Sequence, residues 1–223
     1  MSAIGLWFVP FLQGARDTLI YSVISFAIAL ILGLLLAIMR GSRFVWLRTP
    51  ATIFVEIFRS TPIIAQIFLL YYGFGAFLAN FTVGGYSLVN AWVAGVACLS
   101  LNYAAYESEI FRAGFLSVER GQTEAAYSLG LSGAQNFFRI VLPQAVPLMI
   151  PPFVNDFIYM LKDSAIVSVI SGSELTSIMR RAAFLNSSST LPLYIMGLAL
   201  YLVMSLPISY IARYFERRLR AAL

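Results

Sequence analysis

Asp156, Lys162 and Asp163, with the amide Asn155, lie inside a stretch that is otherwise apolar and studded with proline, Leu142–Ile170. None of the three charges has an opposite charge three or four residues away, and neither does Glu107, at the end of another apolar run. Lys162 and Asp163 are adjacent and point to different faces of a helix, so they cannot neutralise each other there. Unpaired charges at membrane depth survive only against protein or a water-filled cavity. Their partners must be neighbouring spans, a sister subunit or a cargo that itself carries charge. Ser60, Thr61 and Gln66 surround Pro62, where a helix must break because proline lacks a backbone donor and disfavours helical geometry at the preceding residue. Hydroxyl, amide and freed backbone groups collect there. Ser164, beside Asp163, adds another hydroxyl.

The elements that hold these residues follow from composition. The chain has 223 residues, 60% hydrophobic and 11% charged. Soluble domains carry about 25% charged residues, so this is an integral membrane protein. It has no histidine and a single cysteine, Cys98, which excludes an internal disulfide and a cysteine-based zinc site. The net charge of +5 does not indicate nucleic acid, because the basic residues gather at the ends of apolar runs. No loop of the phosphate-binding Walker type is present, so no ATP hydrolysis is expected of this chain. No cleavable signal is expected, since no basic residue precedes the first apolar ones.

Five membrane spans are predicted. Thr18–Met39 and Leu191–Ala212 are each 22 residues without a charge, enough for about 30 Å of hydrocarbon. Leu6–Leu12 reads as a separate interfacial segment. Ala51–Arg59 prefaces the second span, Ile63–Ala79, across the Pro62 break, and an uncharged turn holding Gly84 and Gly85 follows. Leu88–Tyr106 is the third span, and the irregular Leu142–Ile170 is the fourth, interrupted by Pro143, Pro147, Pro151 and Pro152. Ser173–Leu185 is a short amphipathic helix. Arg40, Arg43 and Arg48 after the first span, and the C-terminal arginines, place those segments in the cytoplasm and the N-terminus outside. Arg180 and Arg181 violate that rule, with Glu174 as a candidate partner. The tetrapeptide Glu-Ile-Phe-Arg at 56–59 and again at 109–112 predicts two ion pairs of i,i+3 spacing at the cytoplasmic boundary. Gly33 is expected to let helices approach closely.

The longest polar stretch, 113–139, lies on the cytoplasmic side by the same charge count. Gly130 is its expected helix terminator and Ser132 its N-cap. Glu124-Ala125-Ala126, Gly130, Ile140, Leu142 and Pro143 fall on the spacing EAA-x3-G-x9-I-x-LP. That pattern resembles the cytoplasmic coupling loop of ABC-importer permeases, where a short helix docks into an ATPase. The segments 56–62, 105–112, 121–126, 142–145 and 161–164 are in addition similar to the polar amino-acid uptake permeases, of histidine, glutamine and arginine type, in order along nearly the whole chain. Two positions depart from that family's usual residues: Ser60 stands where glycine is common, and Ser164-Ala165-Ile166 replaces a commoner Thr-Ser-Leu or Ser-Ser-Leu.

The resemblance implies an all-α type I importer domain, single over residues 1–223, with its coupling loop at about 113–145. It implies a bacterial inner-membrane location, a second permease subunit (the same or different), two ATPase subunits that bind ATP and Mg, an extracytoplasmic binding protein and an amino-acid substrate. Glu124, Ala125, Ala126 and Gly130 would then meet the ATPase. Asp163, Lys162, Asn155, Glu107, Ser60, Thr61, Gln66 and Ser164 are the candidates to meet the substrate. The uncompensated acids lean towards a cationic substrate, but Lys162 could equally receive a carboxylate. Two alternatives stay open: an ion-coupled secondary transporter using Glu107 and Asp163, and a scaffold half that leaves substrate binding to its sister.

Overall fold

The computed structural model describes residues 3–75, 82–83, 86–87 and 90–222. It is all-helical apart from a two-residue antiparallel ladder, Thr82 opposite Ser87 and Val83 opposite Tyr86. Gly84 and Gly85, expected to form the turn between them, lie outside the described residues.

The first helix, α1 (Ala3–Arg40), is continuous. Leu6–Leu12 is therefore not a separate interfacial segment. Phe11 and Ala15 bury into a cluster with Leu175, Ala182 and Leu193, and that packing carries the helix outward by several turns. Helix α2 (Val45–Ser60) buries Ala51 and Val55, four apart on one face. Thr61 is extended at φ −118° and ψ 144°, as a residue before proline should be, and the chain restarts as α3 (Ile63–Phe68). A π-turn, Leu69–Gly73, continues α3. The axes on either side of the break differ by 109°.

Helix α4 (Ala91–Leu116) begins where the Asn90 side chain accepts a hydrogen bond from Trp92 N at 2.8 Å. It sits at the centre, packed by α1, α2, α3 and the later helix Leu142–Asp163. Gly33 makes the α1 contact possible: a Cβ there would stand 2.7 Å from that of Glu107. Among the described residues, three stretches are long and apolar enough to cross a membrane: Gly5–Arg40, Gly133–Ile170 and Ser187–Tyr214. The bent pair Val45–Ser60 and Ile63–Gly73 passes the same test together. Helix α4 does not, for a physical reason: a helix wrapped by others faces protein rather than lipid and can carry buried Asn102, Glu107 and Ser108. The outer helices show the reverse pattern, with Ile31, Leu198 and Val203 facing outward.

After α4 come α5 (Arg120–Ser128), a four-residue α6 (Gly133–Asn136), a π-turn (Phe137–Val141) and α7 (Leu142–Asp163). The four prolines do not break this region, contrary to expectation. Each proline displaces the carbonyl four residues before it. Pro143, Pro147 and Pro151 are spaced by four, so their lost hydrogen bonds fall close to one face; Pro152 adds one about 100° away, and the remaining faces keep the helix. The α-form ends instead at Asp163, where a 3-10 segment, Ser164–Ile170, takes over until Ser171 reverses at φ 62°. Helix α8 (Leu175–Leu185) and helix α9 (Thr190–Ala222) complete the chain.

Candidate functional site

The 109° break would strand backbone carbonyls at membrane depth, where each must be satisfied from within the protein. Gln66 does this. Its Nε2 donates to Phe58 O at 2.9 Å, Thr61 O at 3.1 Å and Thr61 Oγ1 at 2.8 Å. Asn102 Nδ2, from α4, donates to Gln66 Oε1 at 3.0 Å and to Phe58 O at 3.3 Å. Thr61 Oγ1 in turn donates to Ile57 O at 2.8 Å. The break is thus a fixed corner, pinned to the central helix by a buried amide pair.

A cavity of about 320 Å³ opens against that corner. Thr61, Pro62 and Ile63 form one wall, Asn102, Tyr103 and Tyr106 of α4 the second, and Asp156, Tyr159 and Asp163 of α7 the third. Its size is at the lower end of the roughly 300–1,000 Å³ of small-molecule sites. Asp163 Oδ2 accepts from Tyr103 Oη at 2.8 Å, which orients the carboxylate at the point where α7 gives way to the 3-10 segment. The lining holds two carboxylates and no cationic side chain. A larger cavity of about 690 Å³ lies between Ser168–Ser173 and α8, but it contains neither the unpaired acids nor the break.

Of the residues expected from sequence, Asp163 and Thr61 line the pocket, and Gln66 supports it from behind. The others lie elsewhere. Lys162 is outside the lining but beside it: its Nζ stands 5.2 Å from the ring centroid of the wall residue Tyr159, and it borders a separate cavity with Leu198 and Tyr201. Ser164 is buried, donating to Leu161 O at 2.8 Å. Asn155 and Ser60 are exposed outside the lining. Glu107 is fully buried behind it, with no hydrogen-bond partner for either oxygen among the described residues. Asn102, Tyr103, Tyr106 and Tyr159 were not singled out from sequence, although helical spacing groups them: 102, 103 and 106 on one face, 156, 159 and 163 on another.

At the end of α4, Glu109 gathers three helices. Arg40 Nη1 of α1 lies 2.7 Å from its Oε1, Arg59 Nη1 of α2 3.3 Å from the same oxygen, and Arg112 Nη2 2.8 Å from Oε2. The expected pair Glu109–Arg112 is present. The expected pair Glu56–Arg59 is not, because Arg59 is drawn to Glu109, and Glu56 makes no ion pair among the described residues. Glu174 likewise does not pair with Arg180 or Arg181. It is buried as the cap of α8, accepting from Thr176 N at 2.7 Å, Ser177 N at 2.6 Å and Tyr201 Oη at 3.2 Å.

The polar stretch after α4 has the local geometry its residues predict. Helix α5 closes with Gly130 at φ 79°, with Gly130 N donating to Tyr127 O at 2.9 Å and Leu131 N to Ala126 O at 3.1 Å. These are the two bonds of a Schellman cap. Ser132 then caps the next helix: its Oγ accepts from Gln135 N, and Gln135 Oε1 accepts from Ser132 N. Ala126 is buried, whereas Glu124 and Ala125 are exposed. Tyr127, Leu129 and Phe138 are 52%, 81% and 65% exposed, an apolar surface around the α5 cap.

Residues 29–221 match the family described as the binding-protein-dependent transport system inner membrane component. The chain belongs to this family. Within it, the chain is 38% identical over 220 residues to the arginine transport system permease protein of Bacillus subtilis (strain 168), covering 96% of this chain and 94% of that protein. It is 39% identical over 209 residues to the octopine transport system permease protein of Rhizobium radiobacter, covering 90% and 82%. A crystal structure of an amino acid ABC transporter with histidines superposes with a TM-score of 0.85 at 35% identity, covering 96% of each chain. The methionine ABC transporter in an inward-facing form shares the fold at TM-score 0.73 and 19% identity. The resemblance to amino-acid ABC permeases therefore stands, and this family member is a permease subunit.

Proposed function

We propose that this chain is the membrane-spanning half of an ATP-driven importer that carries a polar amino acid into the cytoplasm through the pocket at the α2–α3 corner. One observation carries the reading: the pocket's acidic wall and the helix capped by Ser132, which directly follows the α5 cap, belong to one helical stretch, Gly133–Ile170. A soluble motor acting on α5 and the exposed Leu129 and Phe138 would move Asp156, Tyr159 and Asp163 directly. Glu124, Ala125, Ala126 and Gly130 are the docking element for the ATPase, of which two copies serve a pair of permease subunits. The ATPase subunits hold ATP and Mg; this chain holds neither.

In this reading the single domain, residues 1–223, crosses a bacterial inner membrane five times, with the N-terminus outside and the C-terminus and coupling loop in the cytoplasm. An extracytoplasmic binding protein delivers the substrate. Asp163, Thr61 and the amide corner of Gln66 and Asn102 form or support the site; Lys162, Asn155, Ser60, Ser164 and Glu107 act around it. The test is uptake into proteoliposomes holding the chain with its ATPase and binding protein. Uptake should require ATP, stop with vanadate and fall at least tenfold in Asp163→Ala. Uptake driven by a proton or sodium gradient without ATP would establish the secondary-transporter alternative. Unchanged substrate affinity in Asp163→Ala would assign the site to a sister subunit.

A further inference from the structure

We propose that the larger cavity, beside α8, is a headgroup site for an acidic phospholipid whose acyl chains lie along α9. The proposal is independent of the substrate pocket. Ser168, Ser171, Ser173, Arg180, Arg181 and Tyr194 border this cavity of about 690 Å³, and no carboxylate does. Both arginines are exposed, and neither makes an ion pair or hydrogen bond among the described residues. Glu174 cannot neutralise them, because it is buried and its oxygens accept from Thr176 N, Ser177 N and Tyr201 Oη. The side-chain hydroxyls of Ser168, Ser171, Ser173 and Tyr194 make no hydrogen bond among the described residues either. Two guanidiniums beside four uncommitted hydroxyls are a donor set for the oxygens of a phosphate ester.

Position and the neighbouring surface select a lipid over a soluble anion. Two stretches long enough to cross a membrane, Gly133–Ile170 and Ser187–Tyr214, end and begin on either side of α8, which therefore lies at their shared boundary. Helix α8 buries Leu175 and Ala182 on one face and carries Arg180, Arg181 and Phe184 on the opposite one. Phe184 is 86% exposed. On α9, Leu191, Ile195, Leu198 and Leu202 are all exposed and recur at i, i+4, i+7 and i+11, so they form one apolar stripe. The stripe starts beside Thr190 and Tyr194 of the cavity wall. Its eleven residues rise about 16.5 Å, half of the roughly 30 Å hydrocarbon core and so the depth of one leaflet. One molecule with an anionic head and long apolar chains meets both surfaces at once. An acidic head suits the two arginines better than a zwitterionic one, whose own ammonium would be brought against them. The site also accounts for the two arginines that depart from the charge asymmetry of the other loops.

The experiment uses the permease co-purified with its ATPase in mild detergent and titrated with dioleoylphosphatidylglycerol or dioleoylphosphatidylcholine, bound lipid being counted by native mass spectrometry. The wild-type complex should hold phosphatidylglycerol roughly tenfold more tightly than phosphatidylcholine at one site per permease chain. Each arginine is worth about fivefold towards an acidic headgroup, so Arg180→Gln combined with Arg181→Gln should weaken that site by roughly tenfold or more. Arg180→Lys combined with Arg181→Lys keeps the charge and should stay within about fivefold of wild type, which separates lost attraction from a damaged fold. Dihexanoylphosphatidylglycerol, with the same head and short chains, should bind roughly tenfold more weakly than the dioleoyl form. Equal phosphatidylglycerol binding by the wild type and the glutamine variant would overturn the proposal. Equal binding of the short- and long-chain lipids, or displacement of either by inorganic phosphate at equal concentration, would overturn it in favour of a soluble anion. A glutamine variant that keeps its lipid but no longer accepts the binding protein would overturn it in favour of an acidic protein partner.

Discussion

Replacing Gly130 with alanine adds one methyl group in open space: a Cβ at this position has no heavy atom within 4 Å. Any effect must therefore come from the backbone. At φ 79° an L-residue pays roughly 1–2 kcal/mol relative to the ordinary helical region. The two hydrogen bonds of the cap, Gly130 N to Tyr127 O and Leu131 N to Ala126 O, hold only if that angle is kept. The capped conformation should thus lose roughly 5- to 30-fold in population against frayed alternatives. The loss is local, because α5 buries little beyond Ala126. Gly130→Asn should cost less, since asparagine tolerates this region better than alanine. The assay is hydrogen exchange across 120–131 in the complex with ATPase, run beside substrate-stimulated ATP hydrolysis and uptake. Exchange should rise at least fivefold in the alanine variant, uptake per ATP hydrolysed should fall, and the melting temperature should move little. Equal exchange in the glycine, asparagine and alanine forms, or unimpaired uptake by the alanine variant, would refute the reasoning.

Three further outcomes are expected. Gln66→Leu leaves the carbonyls of Phe58 and Thr61 and the Asn102 amide short of partners, a loss of about 2–4 kcal/mol on buried polar groups; unchanged thermal stability of the purified complex would contradict the corner described above. Glu109→Gln removes the charge shared by Arg40, Arg59 and Arg112 and should cost about 1–3 kcal/mol, with weaker effect at high salt because two of the arginines are partly exposed. A salt-independent melting shift would argue against that assignment. Glu107→Gln exchanges a buried, unpartnered carboxyl for a neutral isostere and should not lower the melting temperature. A fall of more than about 2 °C would mean that the carboxylate has a partner.

The features legible in the sequence were those whose physics is local. Gly130 as terminator, Ser132 as cap and the Pro62 break each depend on a few adjacent residues, and each stands where the residues put it. Non-local features were harder. The prolines of α7 look like breaks one at a time, but the four-residue spacing of Pro143, Pro147 and Pro151 gathers most of the damage near one face. Arg59 looked like the partner of Glu56 until α1, α2 and α4 met at Glu109, a convergence that no single helix encodes. The pocket was half visible. Asp156, Tyr159 and Asp163 at i, i+3 and i+7 form a stripe, and Lys162 lies roughly 100° off it, so helical geometry already separated the lysine from the acids. Which α4 face met that stripe required the packing.

The π-turn at Phe137–Val141 makes the link between the segment capped by Ser132 and the pocket a matter of counting. A π-turn holds one residue more than the α-helix it interrupts. Removing that residue would let the helix continue in regular form with everything beyond it in nearly the same phase, because the wider turn absorbs the surplus; removing one from the regular helix after Leu142 would rotate everything beyond it by about 100° and draw it back about 1.5 Å. Asp156, Tyr159 and Asp163 would then face a different neighbour while the cap at Ser132 stayed where it is. The π-turn is thus a place where the link can change its residue count with little change of angular phase between the two ends. A one-residue deletion in this turn should thus leave uptake largely intact, whereas a one-residue deletion between Leu142 and Asp156 should abolish it in a chain that still inserts.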